Sequence, residues 1–513
     1  MSDKESAPQT LGSSYGTILK SSSLIGGSKA INYGIGMART KAVAILLGPA
    51  GVGVVGLFSS ILALVGTVSG LGLRTSGVRE IADARNRADD ELLGQLQIAI
   101  RRLSILLGIF CAVLMALCAP LIGQISFGDS ETATYSIALL SLVLVLGGFN
   151  IAQSVSIQGF RRIADLARIG VVSATISSVV VVSIYACLGE RGIVPALISI
   201  AMVTVLVSWK VASSLQVRPE DSSWSRSVFH AKKLIQMGVA IAYGSLLFHL
   251  TPYIVRSLIV KDLGLDANGI YMAAWAISGL FAQFILSAMA ADYFPRLSGV
   301  ADDSVKMNRY VNEQTEIGIL FTLPGILAVT AYAPLVIQIL YSERFLPAAD
   351  LLPWFLLGVF GRVVNWPMGM IVLARGDTKT FALMQTVSVS VHICLIYFCF
   401  YHWGLIGAAI AFAIQNVIYC PAIYVFLSWR YQLKWTSEVK RLLLVFLCVL
   451  TVLAGVKLLI NNLWAFYCVS TLIIALASFY SLRQLISRMR DHPKLVAFLH
   501  RLPFWMRGLL NSN

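Results

Sequence analysis

Residues 350–374 read DLLPWFLLGVFGRVVNWPMGMIVLA, an apolar run long enough to cross a bilayer, with Arg362 at its middle. A guanidinium at that depth costs about 3 kcal/mol even on lenient insertion scales, so it must face a polar interior and calls for an anion. Five further cations, Lys29, Arg39, Lys41, Arg256 and Lys457, also fall inside apolar stretches, and those stretches hold almost no acidic residues to neutralise them. The pattern is that of a membrane protein with a cationic interior.

Working outward, hydrophobic runs of about 20 residues, the length that spans a bilayer, recur from end to end of the 513 residues. Fourteen spans are expected, at 24–47, 51–73, 98–122, 134–158, 168–188, 194–213, 234–258, 269–292, 316–340, 350–374, 380–401, 404–428, 441–460 and 464–482. Composition agrees: 57% hydrophobic and 13% charged residues, with a mean hydropathy of +0.78, exclude an ordinary soluble domain. The fold class expected is an all-α integral membrane protein.

Lysine and arginine set the orientation, because basic loops stay cytoplasmic. With both termini inside, cytoplasmic segments hold 31 of the 40 basic residues, and the outer loops hold only Arg191, Lys261 and Arg344. The net charge of +15 therefore reflects topology and anionic lipid, not nucleic acid. The start of the chain is polar and carries Asp3 and Glu5, so no cleaved signal is expected. All eight cysteines lie in expected spans and form no CxxC pair, as packing thiols do.

The longer polar link at 214–233 divides the first twelve spans into two groups of six. The expected organisation is an N-lobe at 1–213, a cytoplasmic linker at 214–233, a C-lobe at 234–428, two further spans at 429–483 and a basic tail at 484–513. The lobes resemble each other faintly. Span one turns into span two at Gly48 and span seven into span eight at Gly264, with Arg39 nine and Arg256 eight residues ahead. A parallel repeat of this kind is known in transporters that rock between two access states.

Helical phase places Ser21, Ser28, Asn32 and Arg39 on one stripe, and Ser245, His249 and Arg256 on another. Lys29 and Lys41 lie off the first stripe, and either binds an anionic headgroup or snorkels to the interface. Arg74, at the cytoplasmic end of span two, is an anchor or a point of substrate entry. Asn150, Gln153, Asn365, Gln385 and His392 are candidates for a polar cavity lining or for interhelical hydrogen bonds. Asp292 and Glu316, near cytoplasmic span ends, are candidates for proton or sodium coupling, or for gate ion pairs and headgroup contacts.

Catalysis finds little footing. Gly51, Gly53 and Gly56 spell GxGxxG inside a membrane hairpin, without the strand and downstream acid of a dinucleotide fold. There is no GxxxxGK[ST] loop, and the six histidines form no HExxH or metal-ligand cluster. No cofactor is expected.

Four stretches carry a family resemblance. GPAGVGVVGLFSSILALVGTVSGLGLRTSGVREIA from Gly48 to Ala82, YFPRLS at Tyr293 to Ser298, LYSERFLPAADLLPW with the LARGDTK turn between Leu340 and Lys379, and GLIGAAIAF from Gly404 resemble Wzx-type O-antigen and exopolysaccharide flippases. These belong to the multidrug/oligosaccharidyl-lipid/polysaccharide (MOP) exporter superfamily. The resemblance covers roughly 15–430. It implies two six-helix lobes around a cavity that opens alternately to each side, in the bacterial inner membrane. The implied cargo is a polyprenyl pyrophosphate carrying an oligosaccharide repeat, delivered to other polysaccharide assembly proteins. Basic residues on the family's first and seventh helices carry a headgroup-binding role onto Arg39 or Lys41 and onto Arg256; Arg362 is assigned from its depth. A peptidoglycan-precursor flippase and a multidrug exporter are the neighbouring alternatives, and a membrane polymerase or ligase is the alternative of another class. After the last span, Leu495, Phe498, Leu499 and Leu502 share one face of a basic amphipathic stretch suited to the inner leaflet.

Overall fold

An α-helix of 60 residues would be about 90 Å long, three times the thickness of a bilayer core, so the first helical run of the chain must break. In the computed structural model it does so at Gly48, whose backbone takes φ 65 and ψ −170, ahead of Pro49. The structure describes residues 11–128, 131–460 and 462–488, and side chains from Gly27 onward except those of Ala240, Ala288, Ala291 and Asp292. The amphipathic stretch expected near the C-terminus lies outside the described residues.

Among the described residues all regular structure is helical. Among the described residues ten helical runs are long and apolar enough to cross a membrane, and four of them, of 60, 51, 47 and 54 residues, each overlap two of the expected spans. That accounts for all fourteen. The four long runs are interrupted by glycines in the left-handed region, Gly48, Gly189, Gly264 and Gly404, a conformation that a Cβ disfavours. Gly264 follows Gly48 by 216 residues and Gly404 follows Gly189 by 215. The interrupting glycines therefore recur in the same order and at nearly the same spacing.

Two compact units result: Met1–Gly269 with Leu340–Ser342, and Ile270–Ile339 with Glu343–Asn513. The first contains α1 (Leu11–Gly70), α2 (Leu73–Asn86), α3 (Asp90–Leu117), α4 (Ala119–Phe127), α5 (Glu131–Leu140), α6 (Leu142–Gly159), α7 (Ile163–Leu188), α8 (Ile193–Ser213) and the first part of α9 (Trp224–Ser298). Span seven thus belongs to this unit. Its core gathers Leu57, Phe58, Ile61, Met115, Ile137 and Tyr185, while Phe110, Val113 and Leu117 of α3 stand exposed, as lipid-facing side chains do.

The second unit holds the rest of α9, then α10 (Ser304–Ala331), nearly all of α11 (Ala333–Leu340), α12 (Ala348–Ala374), α13 (Thr378–Tyr431), α14 (Ser437–Leu459) and α15 (Leu463–Arg488). Within α13, Gln415 donates Nε2 to the Ser388 carbonyl at 3.0 Å, pairing its two halves across Gly404. Carboxylate and hydroxyl caps start several helices: Asp303 for α10, Asp377 for α13 and Thr436 for α14, each satisfying an orphan backbone N–H. A clasp joins α10 to the chain before α14. Asn308 donates to the Gln432 carbonyl and accepts from the Lys434 N–H, and Asn312 does the same with Lys434 and Thr436, all at 2.8–2.9 Å.

Candidate functional site

The polar stripe of the first span is turned onto α7. A methyl group at Gly170 would come within 3.3 Å of the Asn32 Nδ2. Arg39 is half-buried. It makes no hydrogen bond or ion pair among the described residues, and the Asn32 Oδ1 and Ser173 Oγ nearby in sequence on the two helices are buried without hydrogen-bond partners. Of the remaining cations of span one, Lys29 is exposed and Lys41 half-buried. Ser28 is half-buried, and Arg74 stands exposed at the start of α2.

Arg256 has a different setting. Only 8% exposed, it donates to the Gly56 carbonyl at 3.1 Å and to the Ser60 hydroxyl, so it ties span seven to span two. One turn and more before it, half-buried His249 lies edge-on to Phe248, with ring centroids 5.2 Å apart. Tyr253 shares a hydrogen bond of 3.0 Å with Ser126. Gln153 takes the hydroxyl of Ser208 from α8, which is the interhelical bonding that polar residues supply in membranes. Asn150 accepts from Ser154 at 3.4 Å within its own helix.

In the second unit Arg362, His392 and Asn365 come together around an aromatic cluster. The Arg362 guanidinium lies 5.6 Å from the centroid of the Phe412 ring, in cation–π range, and His392 packs 6.0 Å from the same ring. Trp275 and Phe355 meet Phe412 at 5.2 and 5.8 Å. Asn365, one turn from Arg362 and 6% exposed, donates to the Asn416 carbonyl at 3.0 Å. Three groups here have unused bonding capacity among the described residues: Arg362 has neither hydrogen bond nor ion pair, and the Asn365 Oδ1 and His392 Nε2 are buried without partners. Gln385, two turns before His392, is half-buried.

Glu316 meets an arginine that sequence reasoning passed over. Its carboxylate accepts from Arg488 Nε at 2.7 Å and from the Thr436 hydroxyl at 3.1 Å, and Arg488 also reaches Glu438 at 3.4 Å. Asp292, the other acidic candidate, has its side chain outside the described residues. Phe412 and Ser60 were likewise unforeseen, because an apolar ring or a small hydroxyl inside a span carries no signal in sequence. Among the described residues no group of three histidines, cysteines or carboxylates could hold a metal ion.

Residues 42–350 match the family described as polysaccharide biosynthesis protein. The chain belongs to this family. The Lipid III flippase of Escherichia coli (strain K12) is 24% identical over 434 residues, covering 81% of this chain and 99% of the relative. A solved structure of the lipid II flippase MurJ, in an inward closed conformation, superposes with a TM-score of 0.68 at 14% identity, covering 91% of this chain and 99% of that one. An inward-facing multidrug resistance MATE family transporter of the MOP superfamily gives 0.63 at 16% identity, over 79% and 95%. These likenesses establish the all-α fold. Family and fold agree with the Wzx-type resemblance: the chain is a multi-pass all-α membrane protein of a polysaccharide biosynthesis family.

Proposed function

We propose that this family member carries a polyprenyl-pyrophosphate-linked oligosaccharide repeat unit from the cytoplasmic to the periplasmic leaflet of the bacterial inner membrane, by alternating access, with both termini in the cytoplasm. The observation that carries this reading is Arg362, a membrane-embedded guanidinium with no anionic partner among the described residues, beside an Asn365 oxygen and a His392 nitrogen that also lack partners. A charge left in that state is costly. A pyrophosphate about 4 Å away would gain roughly 4 kcal/mol per charge pair at an effective dielectric of 20, offsetting much of its own desolvation. Arg39 gives the first unit a second cation of the same kind. The chain's scarcity of acidic residues in its spans argues against cationic drugs as cargo.

Glu316 enters the proposal in a structural role. Both of its oxygens are engaged by Arg488 and Thr436, so the carboxylate fastens α14 and α15 to α10 and is poorly placed to carry a coupling proton.

The test is complementation of a strain lacking the gene. Arg362→Ala should lower surface-glycan export at least tenfold while membrane insertion is unchanged, and Arg362→Lys should restore part of it by keeping the charge. Normal export by a normally inserted Arg362→Ala chain would remove the headgroup role.

A further inference from the structure

The segment joining the sixth and seventh spans has no regular secondary structure from Gln216 to Ser223, yet α3 binds its backbone residue after residue. Gln97 donates Nε2 to the Leu215 carbonyl at 2.9 Å and accepts the Val217 N–H at 3.0 Å. Glu91 accepts the N–H groups of Glu220 and Asp221 at 2.6 and 3.1 Å, and these donors hold its carboxyl below the usual range. Arg102 donates to the carbonyls of Ser222 and Ser223 at 2.9 and 3.3 Å and to the Ser227 hydroxyl at 2.8 Å, with its guanidinium 4.6 Å from the Trp224 ring centroid. Gly94 makes room for the crossing: a Cβ there would lie 2.8 Å from Pro219 Cδ and 3.0 Å from the Val217 carbonyl oxygen.

The fastening continues up span seven. His230 bonds Gln95 at 3.2 Å and Lys233 pairs with Glu80 at 2.7 Å. The backbones at Gly72 and Gly238 approach so closely that a Cβ on Gly72 would sit 2.7 Å from the Gly238 Cα. Arg256 holds Gly56 and Ser60 in the middle. At the far end Asn268, fully buried, donates to the Gly53 carbonyl at 2.7 Å. Opening this seam would strand a guanidinium and an amide in apolar surroundings, where unpaired polar groups are expensive.

We infer that the 215–223 segment is a strap and not a free tether, and that spans one to seven move as one body, its boundary at Gly269 and not within 214–233. This rests on the alternating-access reading above. It assigns to Glu91, Gln97 and Arg102 a positioning role: they fix the cytoplasmic entry of span seven.

Two measurements test it. Hydrogen exchange on the unmodified full chain in lipid nanodiscs should show the Val217, Glu220 and Asp221 amides exchanging at least tenfold slower than a free chain, and Glu91→Ala should release the latter two alone. In the complementation strain, the Gly94→Cys, Pro219→Cys pair, oxidised to a disulfide, should keep more than half of the export seen when it is reduced, with each single cysteine variant as control. Free-chain exchange in the wild type overturns the strap. Export abolished by oxidation and recovered by reductant overturns the single body. The exchange experiment needs no substitution, so it decides the strap even if the cysteine pair fails to fold. Failure of the wild-type gene to restore export would count against the flippase reading instead, and is read separately.

Discussion

Ser60→Ala removes the hydroxyl that takes one N–H of Arg256. With Arg256 8% and Ser60 3% exposed, bulk water cannot replace the lost partner. Hydrogen bonds to charged groups contribute about 1.5–3 kcal/mol in soluble proteins, whereas interhelical bonds inside membranes average about 0.6 and reach about 1.7. The Gly56 carbonyl, 3.1 Å from the same guanidinium nitrogen, keeps part of the interaction. We therefore expect Ser60→Ala to destabilise by about 1 kcal/mol. In an Arg256→Met background the same change should be near neutral, because no buried charge is left to satisfy, giving a coupling energy of about 1 kcal/mol in a double-mutant cycle. The assay is reversible unfolding in bicelles by titration with a denaturing detergent. Equal losses in both backgrounds, with coupling under about 0.3 kcal/mol, would refute the seam between spans two and seven.

Glu316→Ala leaves Arg488 with Glu438, at 3.4 Å, as its remaining carboxylate; with both partners of the lost pair mostly buried, breaking it should cost about 2–3 kcal/mol, somewhat under the range for fully buried pairs. The loss should be seen as faster hydrogen exchange in α14 and α15, and unchanged exchange there would contradict the fastening role of Glu316. For His230, burial chiefly, with Arg226 and Lys233 adding and Glu80 opposing, lowers the folded pKa below the ordinary histidine value of about 6.5. The unfolded state then binds more protons, so this contribution is fully present above about pH 6.5 and is lost as pH falls through the folded value. Protease cleavage within 215–223 should rise on acidification below that pH, and His230→Gln should flatten the dependence; an unaltered profile in the variant would assign it elsewhere.

The spans and their turns were legible because each rests on local information: apolar runs of bilayer length, and glycines at 48, 189, 264 and 404 where the backbone must enter the left-handed region. Helical phase also showed which residues share a face, as with Asn32 and Arg39. It could not show what that face meets, and Asn32 lies against Gly170 of α7. Arg256 was recognisable as a costly charge, but its partner Ser60 lies 196 residues away and is one small hydroxyl among many. The same holds for Glu316 and Arg488, 172 residues apart. The 214–233 segment reads as a flexible polar linker by composition, since nothing local reveals that Glu91 and Gln97 supply its missing backbone partners. Arg362 stood out from sequence because depth alone makes a guanidinium expensive, while its neighbours Phe412 and His392 needed the packing of α12 on α13.

The proposed function is the movement of a lipid-linked glycan across the membrane. Its most direct test is the sidedness of that glycan in cells lacking the gene, read with a membrane-impermeant glycan probe on oriented membrane vesicles. Complete repeat units should accumulate on the cytoplasmic face and return to the periplasmic face when the wild-type gene is supplied. Repeat units that reach the periplasmic face without it would rule out this function.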